Sequence, residues 1–183
     1  MSDAIAPGLR VRCLEVGEVG LLRQLRLEAL RDAPDQLGEA LADAEARSDE
    51  DWAELAASVT PPSVHAACIA ELDGTAIGMV FALTDHTDST IGRLGGMWVW
   101  ASVRRSGVGT ALVEAVVECC RAKGKRCIRL GVVPGGSAEQ LYRRAGFELT
   151  GASRAFPGAE ARRVLEMQLD LAPDIHSRPS TEP

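Results

Sequence analysis

The chain has 183 residues, 46% hydrophobic and 25% charged, enough apolar material for one domain with a buried core. It carries a formal charge of −6 at neutral pH, so the basic footprint of a nucleic-acid-binding protein is missing. The cysteines at 13, 68, 119, 120 and 127 are odd in number and lack Cys-x-x-Cys spacing, a pattern that argues for a reducing compartment and against a disulfide frame or a zinc site.

Residues 1–8 are expected to be loose. They show no basic start leading into an apolar core, so no signal peptide is read there, and no apolar run approaches the ~20 residues of a membrane helix. A cytoplasmic protein is the expectation. Lys occurs only at 123 and 125 and Ala is abundant, which points to a GC-rich bacterial genome. Residues 9–14 alternate in polarity as a first strand. From Glu18, residues Leu21, Leu22, Leu25, Ala29 and Leu30 form the apolar stripe of an amphipathic helix, which must end before Pro34. Residues 34–38 form a loop. Ser48 reads as an N-cap followed by the acidic first turn Asp49-Glu50-Asp51, opening a helix that carries Trp52, Leu55 and Val59 up to Pro61-Pro62.

Three strands are expected at 64–72, 75–84 and 90–100. Asp73-Gly74 is a hairpin signal between the first two, and 85–89 is a polar loop before the third. Gly95-Gly96 inside the third strand predicts a bulge or a close backbone approach. A helix from Ser106 keeps Val108, Leu112, Ala115, Val116 and Cys119 on one face, with Gly124 as its C′ residue. A strand at 126–133 stops at Pro134. Ser137-Ala138-Glu139-Gln140 has the form of a capping box for a short helix ending at Gly146. Residues 147–150 and 163–171 complete the strands, and the Pro- and Ser-rich tail from 173 is expected to be disordered.

The stretch with chemistry begins as the β-prone run Met97-Trp98-Val99-Trp100. It continues through Arg104, Arg105, Ser106, Gly107, Val108, Gly109 and Thr110, an Arg-x-x-Gly-x-Gly turn into a helix. Such a turn leaves N–H groups without intrahelical partners at the positive end of a helix dipole, an anion site suited to pyrophosphate. Gly107 and Gly109 lack the Cβ that would hold a phosphate off the backbone. A dinucleotide fingerprint would need Gly at 112, where Leu112 stands. A Walker A loop is excluded because Gly124-Lys125 is followed by Arg126 and preceded by Cys119 where that loop needs Gly.

This stretch resembles the acyl-CoA-binding motif of the GNAT family of N-acetyltransferases: an apolar strand, then Arg/Gln-x-x-Gly-x-Gly/Ala, then a helix. A second segment, Ala138-x-x-Leu141-Tyr142-x-x-x-Gly146-Phe147, resembles that family's Ala-x-x-Leu-Tyr-x-x-x-Gly-Phe at the expected separation. The resemblance covers roughly residues 9–171 and is sharp from 97 to 147. It implies an N-acetyltransferase domain over residues 9–172 with flexible termini at 1–8 and 173–183. The implied fold class is α/β (α+β), a central mixed, mostly antiparallel sheet with flanking helices in the order β-α-α-β-β-β-α-β-α-β-β. The bulged strand would splay from its neighbour, and the acyl chain would lie in the gap. Acetyl-CoA is the implied co-substrate. Its pyrophosphate would sit on residues 104–110, and its pantetheine amides would pair with the main chain of Met97, Trp98 and Val99 as an added strand does. Arg104 or Arg105 would add a charge-assisted bond.

The resemblance makes Tyr142 the catalytic candidate, assisting departure of the CoA sulfur. A thiol near pKa ~8.5 and a phenol near ~10 make full proton transfer ~2 kcal/mol uphill, which favours a hydrogen bond to the developing thiolate. Two positions depart from the family pattern. Gly135 stands where Asn is common, and strand residues Arg129, Leu130 and Gly131 offer no carboxylate base. An alkyl amine near pKa ~10.4 is neutral at pH 7 at a cost of ~4–5 kcal/mol, so a proton acceptor is needed. The candidates are Asp85, His86 and Asp88, or Glu39, Asp43 and Glu45, or water. The acidic run 39–54 would either attract a cationic amine or form the wet face of a helix pair. The resulting expectation is direct acetyl transfer to a primary amine, of a small molecule ahead of a protein N-terminus or lysine. A catalytically silent CoA-binding module is the competitor from another class. No metal, nucleic-acid or membrane partner is expected, and a homodimer is the assembly to test.

Overall fold

The structure, a computed structural model, describes residues 8–157 and 159–171; the expected loose ends before residue 8 and beyond 171 lie outside them. Seven strands form one sheet in the order β1-β2-β3-β4-β5-β7-β6. They are β1 (Leu9–Cys13), β2 (Ala66–Leu72), β3 (Thr75–Thr84), β4 (Ile91–Val99), β5 (Cys127–Val132), β6 (Glu148–Phe156) and β7 (Ala159–Asp170). Every neighbouring pair is antiparallel except β4–β5. The helices are α1 (Val19–Asp32), α2 (Leu41–Glu45), α3 (Asp49–Ser58), α4 (Val108–Ala122) and α5 (Ser137–Arg144).

Both faces of the central strands are buried, so β2 and β3 read as nearly continuous apolar runs. Alternation divides them between two cores. Cys68, Ala70, Val80 and Ala82 face α4 and α5, packing with Leu112, Val116 and Phe147. Ala67, Ile69, Met79 and Phe81 face α1, packing with Leu22, Leu25 and Trp98. Leu22, Leu25 and Leu30 on α1 are fully buried, each worth roughly 1.5–3 kcal/mol. The α1 stripe and its end before Pro34 match the sequence expectation. So does the Ser48 cap: its side chain accepts the Asp51 N–H at 3.1 Å, and Asp51 accepts the Ser48 N–H at 2.9 Å.

Three local expectations change. Ser137 is not a cap: it lies inside α5, with Gly136 at the N-cap and no side-chain capping bond. Glu139 instead accepts the N–H of Gly135 at 2.8 Å and pairs with Arg143 at 2.7 Å. The acidic run before α3 contains the extra short helix α2. Strand β7 starts at Ala159 instead of residue 163, and β6 runs to Phe156 instead of residue 150, almost entirely exposed. Its polarity therefore carries no alternation, and a register shift between Leu149 and Ser153 with Gly151 at φ +85 breaks its pattern.

Candidate active site

The cleft originates in β4. Its pairing with β5 covers only Ile91, Gly92 and Arg93 against Cys127, Ile128 and Arg129, and beyond Arg93 the two strands part. Between Trp98 and Gly95, β4 carries one residue more than β3 does between Met79 and Phe81. Gly96 takes φ +59 in this bulge, and a Cβ there would lie 2.5 Å from the Phe81 ring. The glycine pair thus marks a bulge that turns the strand away from its parallel neighbour. The opening is a cleft of about 510 Å³. Leu94 to Met97 form one wall and Gly131 to Ser137 the other. Gly38 of the α1–α2 loop and Pro157 at the end of β6 also line it. A Cβ on Gly38 would be 3.6 Å from the Pro157 ring, so these two segments meet over the cleft.

Tyr142 lines this cleft and is 5% exposed. Its ring sits edge-on to Phe147 at 5.8 Å, and its hydroxyl bonds to no described group. Burial pushes the phenol pKa upward, so the group stays protonated over the working range.

The glycine turn follows β4 through a 3₁₀ turn at Ala101–Val103. Arg104 is extended, Arg105 has φ +64, and Gly107 has φ +85 as N-cap of α4. The helix begins at Val108 rather than Ser106, because the left-handed Gly107 cannot continue it. The first bond closing the helix runs from Ala111 N–H to Gly107 O at 3.0 Å. Among the described residues the N–H groups of 105–110 donate to no protein acceptor. A Cβ on Gly109 would be 3.1 Å from Leu141 Cδ2, so the first turn of α4 rests on α5 and the two sequence motifs touch.

The arginines of the turn differ in surroundings. Arg104 donates through Nε to Val99 O at 2.9 Å and pairs with Asp32. Asp32 also accepts from Trp98 Nε1 at 2.8 Å, so Arg104 braces the turn against α1. Arg105 is exposed and has no such partner among the described residues. Trp100 N–H bonds Ile77 O at 2.9 Å. By the alternation of an antiparallel ladder, the main chain of Trp98 faces β3 and that of Val99 faces the gap. Met97 lines the cleft.

None of the six side chains considered as base lines the cleft. Hydrogen bonds from Thr87, assisted by Arg93 at 3.1 Å, hold the Asp85 carboxyl well below the usual carboxylate range. The hydroxyl and N–H of Thr90, with Arg126, hold Asp88 at about 2. Such weak bases accept no proton near neutrality. Glu39 bridges Arg26 at 2.6 Å and Arg47 at 2.7 Å, and Glu45 pairs with Arg31 at 2.8 Å. His65 is used structurally, its Nδ1 accepting the Thr84 N–H at 2.9 Å.

Among the described residues the cleft lining instead holds Arg93, Arg154 and Arg162 and no Asp, Glu or His. The two from β6 and β7 are hidden in the sequence because residues 151–162 read as loop. No cysteine lines the cleft either. Away from it, the Sγ atoms of Cys13, Cys68 and Cys119 lie within 4.8 Å of one another, a convergence of β1, β2 and α4 that sequence spacing hides.

A sheet forked between two parallel central strands, beside a helix that starts at a glycine turn, is the architecture of the acyltransferases that the motifs resemble. The chain belongs to the acetyltransferase (GNAT) family, whose pattern it matches over residues 24–147. No curated protein matches the chain. Solved structures similar to it include a GNAT-family acetyltransferase from Streptococcus pneumoniae, at 22% identity and TM-score 0.74, covering 90% of this chain and 99% of that one. A ribosomal-protein-alanine N-acetyltransferase from Brucella melitensis aligns at 21% identity and TM-score 0.70, over 88% and 99% of the two chains. A spermidine N-acetyltransferase from Vibrio cholerae, in complex with CoA and spermine, aligns at 16% and 0.71, over 90% and 96%. Among the described residues no helix is long and apolar enough to cross a membrane.

Proposed function

We propose that the protein transfers acetyl from acetyl-CoA directly to the primary amine of a small molecule. The observation that carries this is the fork between β4 and β5, with unpaired N–H groups at residues 105–110 beside it. The pyrophosphate would take those groups, with Arg105 adding a charge-assisted bond and Arg104 positioning the turn. Pantetheine would run along the free edge of β4 past Val99 and Met97, bringing the thioester into the cleft. Tyr142 would donate its hydroxyl proton in a hydrogen bond to the sulfur as the C–S bond breaks. The amine nitrogen would attack the thioester carbonyl, giving the amide and CoA. The absence of any cysteine from the cleft lining favours this one-step course over an acyl-enzyme.

A small acceptor is favoured over a protein by the meeting of Gly38 with Pro157 across the cleft, which leaves less room for a polypeptide. The fold itself does not decide this, since its neighbours above are named for a ribosomal protein and for spermidine. The test is thiol release from acetyl-CoA against an amine panel, with calorimetry of CoA binding to the wild type and to Gly107→Val. Absence of CoA binding in the wild type, or unchanged affinity in the variant, contradicts the cofactor site.

A further inference from the structure

We infer that the acceptor bears an anionic group, a carboxylate or a phosphate, in addition to its amine, and that Arg154 and Arg162 hold that group in the cleft. This rests on acetyl transfer taking place there. Arg154 lies on β6 opposite Val164 of β7, and both line the cleft, as do Phe156 and Arg162. Arg154 also lines an adjoining recess of about 130 Å³. Its guanidinium lies over a bare glycine. A Cβ on Gly131 of β5 would lie 2.8 Å from Val164 Cγ1 and 3.5 Å from Arg154 Nη2. Where the family can carry a carboxylate on this strand, the present chain has a glycine with a guanidinium over it.

Arg162 is fixed in another way. Its guanidinium carbon stands 5.0 Å from the centroid of the buried Phe156 ring. Stacking restrains the group and leaves its N–H edges available. Neither arginine pairs with a carboxylate among the described residues. Arg93, the third cation of the lining, is compensated by Asp85 at 3.1 Å and Glu166 at 3.9 Å. Among the described residues the cleft lining therefore holds two guanidinium groups without a paired carboxylate and no acid, Glu166 lining only the adjoining recess. Planar forks in that setting suit bidentate capture of carboxylate or phosphate, and they repel a polycation. The anion they await is not the cofactor's pyrophosphate, because residues 104–110 do not contribute to this lining.

The experiment compares matched amines as acceptors: 3-aminopropanoate with propylamine, O-phosphoethanolamine with ethanolamine, and the protein amino acids with their decarboxylated amines, with spermidine alongside. Thiol release from acetyl-CoA is followed, and binding of each N-acetylated product to the CoA complex is measured by calorimetry. The anionic member of each accepted pair is expected to be preferred, and the carboxylate and phosphate arms identify which anion is used. Arg154→Gln and Arg162→Gln should raise KM for that acceptor roughly tenfold to a hundredfold, as expected for lost charged hydrogen bonds, and less than twofold for its matched amine. Arg163→Gln is the control; its side chain bonds Ser153 instead. Arg154→Glu should reverse the preference within a pair. Equal or better use of the amine lacking the anion, or equal KM changes for both members, overturns the inference while leaving acetyl transfer intact. Arginine-dependent binding of anionic products without turnover of any amine leaves Arg154 and Arg162 as an anion site and overturns acetyl transfer to these acceptors, and with it their reading as acceptor-binding residues. If no probe is either acetylated or bound, both fail.

Discussion

Replacing Tyr142 by Phe removes one oxygen and tests whether this side chain acts on the reaction or only on the core. The ring would keep its edge contact with Phe147 at 5.8 Å. The hydroxyl has no partner among the described residues to leave unsatisfied, so folding stability should change by less than about 1 kcal/mol. In the reaction the same hydroxyl would face a sulfur gaining negative charge, and a hydrogen bond to a charged group contributes about 1.5–3 kcal/mol. Lost only in the transition state, that corresponds to a fall in kcat of roughly 10- to 150-fold with KM for acetyl-CoA little changed. Because burial raises the phenol pKa, the hydroxyl remains protonated and contributes no alkaline limb to the wild-type profile. The assay is thiol release at saturating acceptor, with solvent viscosity varied to establish that chemistry limits the rate. Equal kcat in the two proteins under that condition would assign Tyr142 to packing alone.

Other perturbations probe the scaffold around the cleft. Gly96→Ala places a Cβ 2.5 Å from the Phe81 ring at φ +59, so it should lower stability by at least about 2 kcal/mol; an unchanged denaturation midpoint would contradict the bulge. Gly135 has φ +83, and a Cβ there would meet nothing within 4 Å; Asn tolerates that conformation. Gly135→Asn should therefore fold normally and lower KM for acetyl-CoA several-fold, whereas an unchanged KM would deny the loop a cofactor contact. Asp88 is held at about 2 in the folded protein, below its ~3.9 in the unfolded chain. The stability it lends is complete above pH ~4 and lost as pH falls through its folded value. Asp88→Asn should thus flatten the acid side of the stability curve, and an equally steep acid loss in urea titrations would place the effect elsewhere.

The legible parts of the molecule are those where one residue type has one physical use. Gly95-Gly96 forecast the bulge because few other residues permit it. The stripe from Leu21 to Leu30 forecast a helix buried on one side. The two motifs were visible at their separation in sequence, but that they meet, with Leu141 against Gly109, was not. Exposed edge structure was hidden: β6 has only its last residue, Phe156, buried, so no alternation announced it. With β6 and the start of β7 went Arg154 and Arg162, and Arg154 lies over Gly131, in a strand distant in sequence. The available clue was the alternation Arg154-x-Phe156 together with the bare glycine. Charge pairing was hidden too, since a list of acids does not show that Glu39, Glu45 and Asp49 each face an arginine.

That charge arrangement changes the problem of the acceptor's proton. Glu39, Glu45 and Asp49 are already neutralised, which weakens the case for an acidic surface that collects a cationic amine. The cleft carries guanidinium groups instead, and a nearby positive charge disfavours an ammonium ion. Each unit of pKa lowering removes about 1.36 kcal/mol from the ~4–5 kcal/mol needed to deprotonate an alkyl amine at neutral pH. Water can then accept the proton, and no side-chain base is required. The expected profile of kcat/KM rises with pH and levels below the acceptor's solution pKa. Arg154→Gln, which removes a guanidinium with no paired carboxylate among the described residues, should move that plateau upward for an acceptor without an anionic group, toward the solution value, with the slope below it unchanged. A bell or limb governed by an enzymic group near pH 6–7, abolished by a single substitution at His86 or Glu39, would instead identify a dedicated base and refute the electrostatic route.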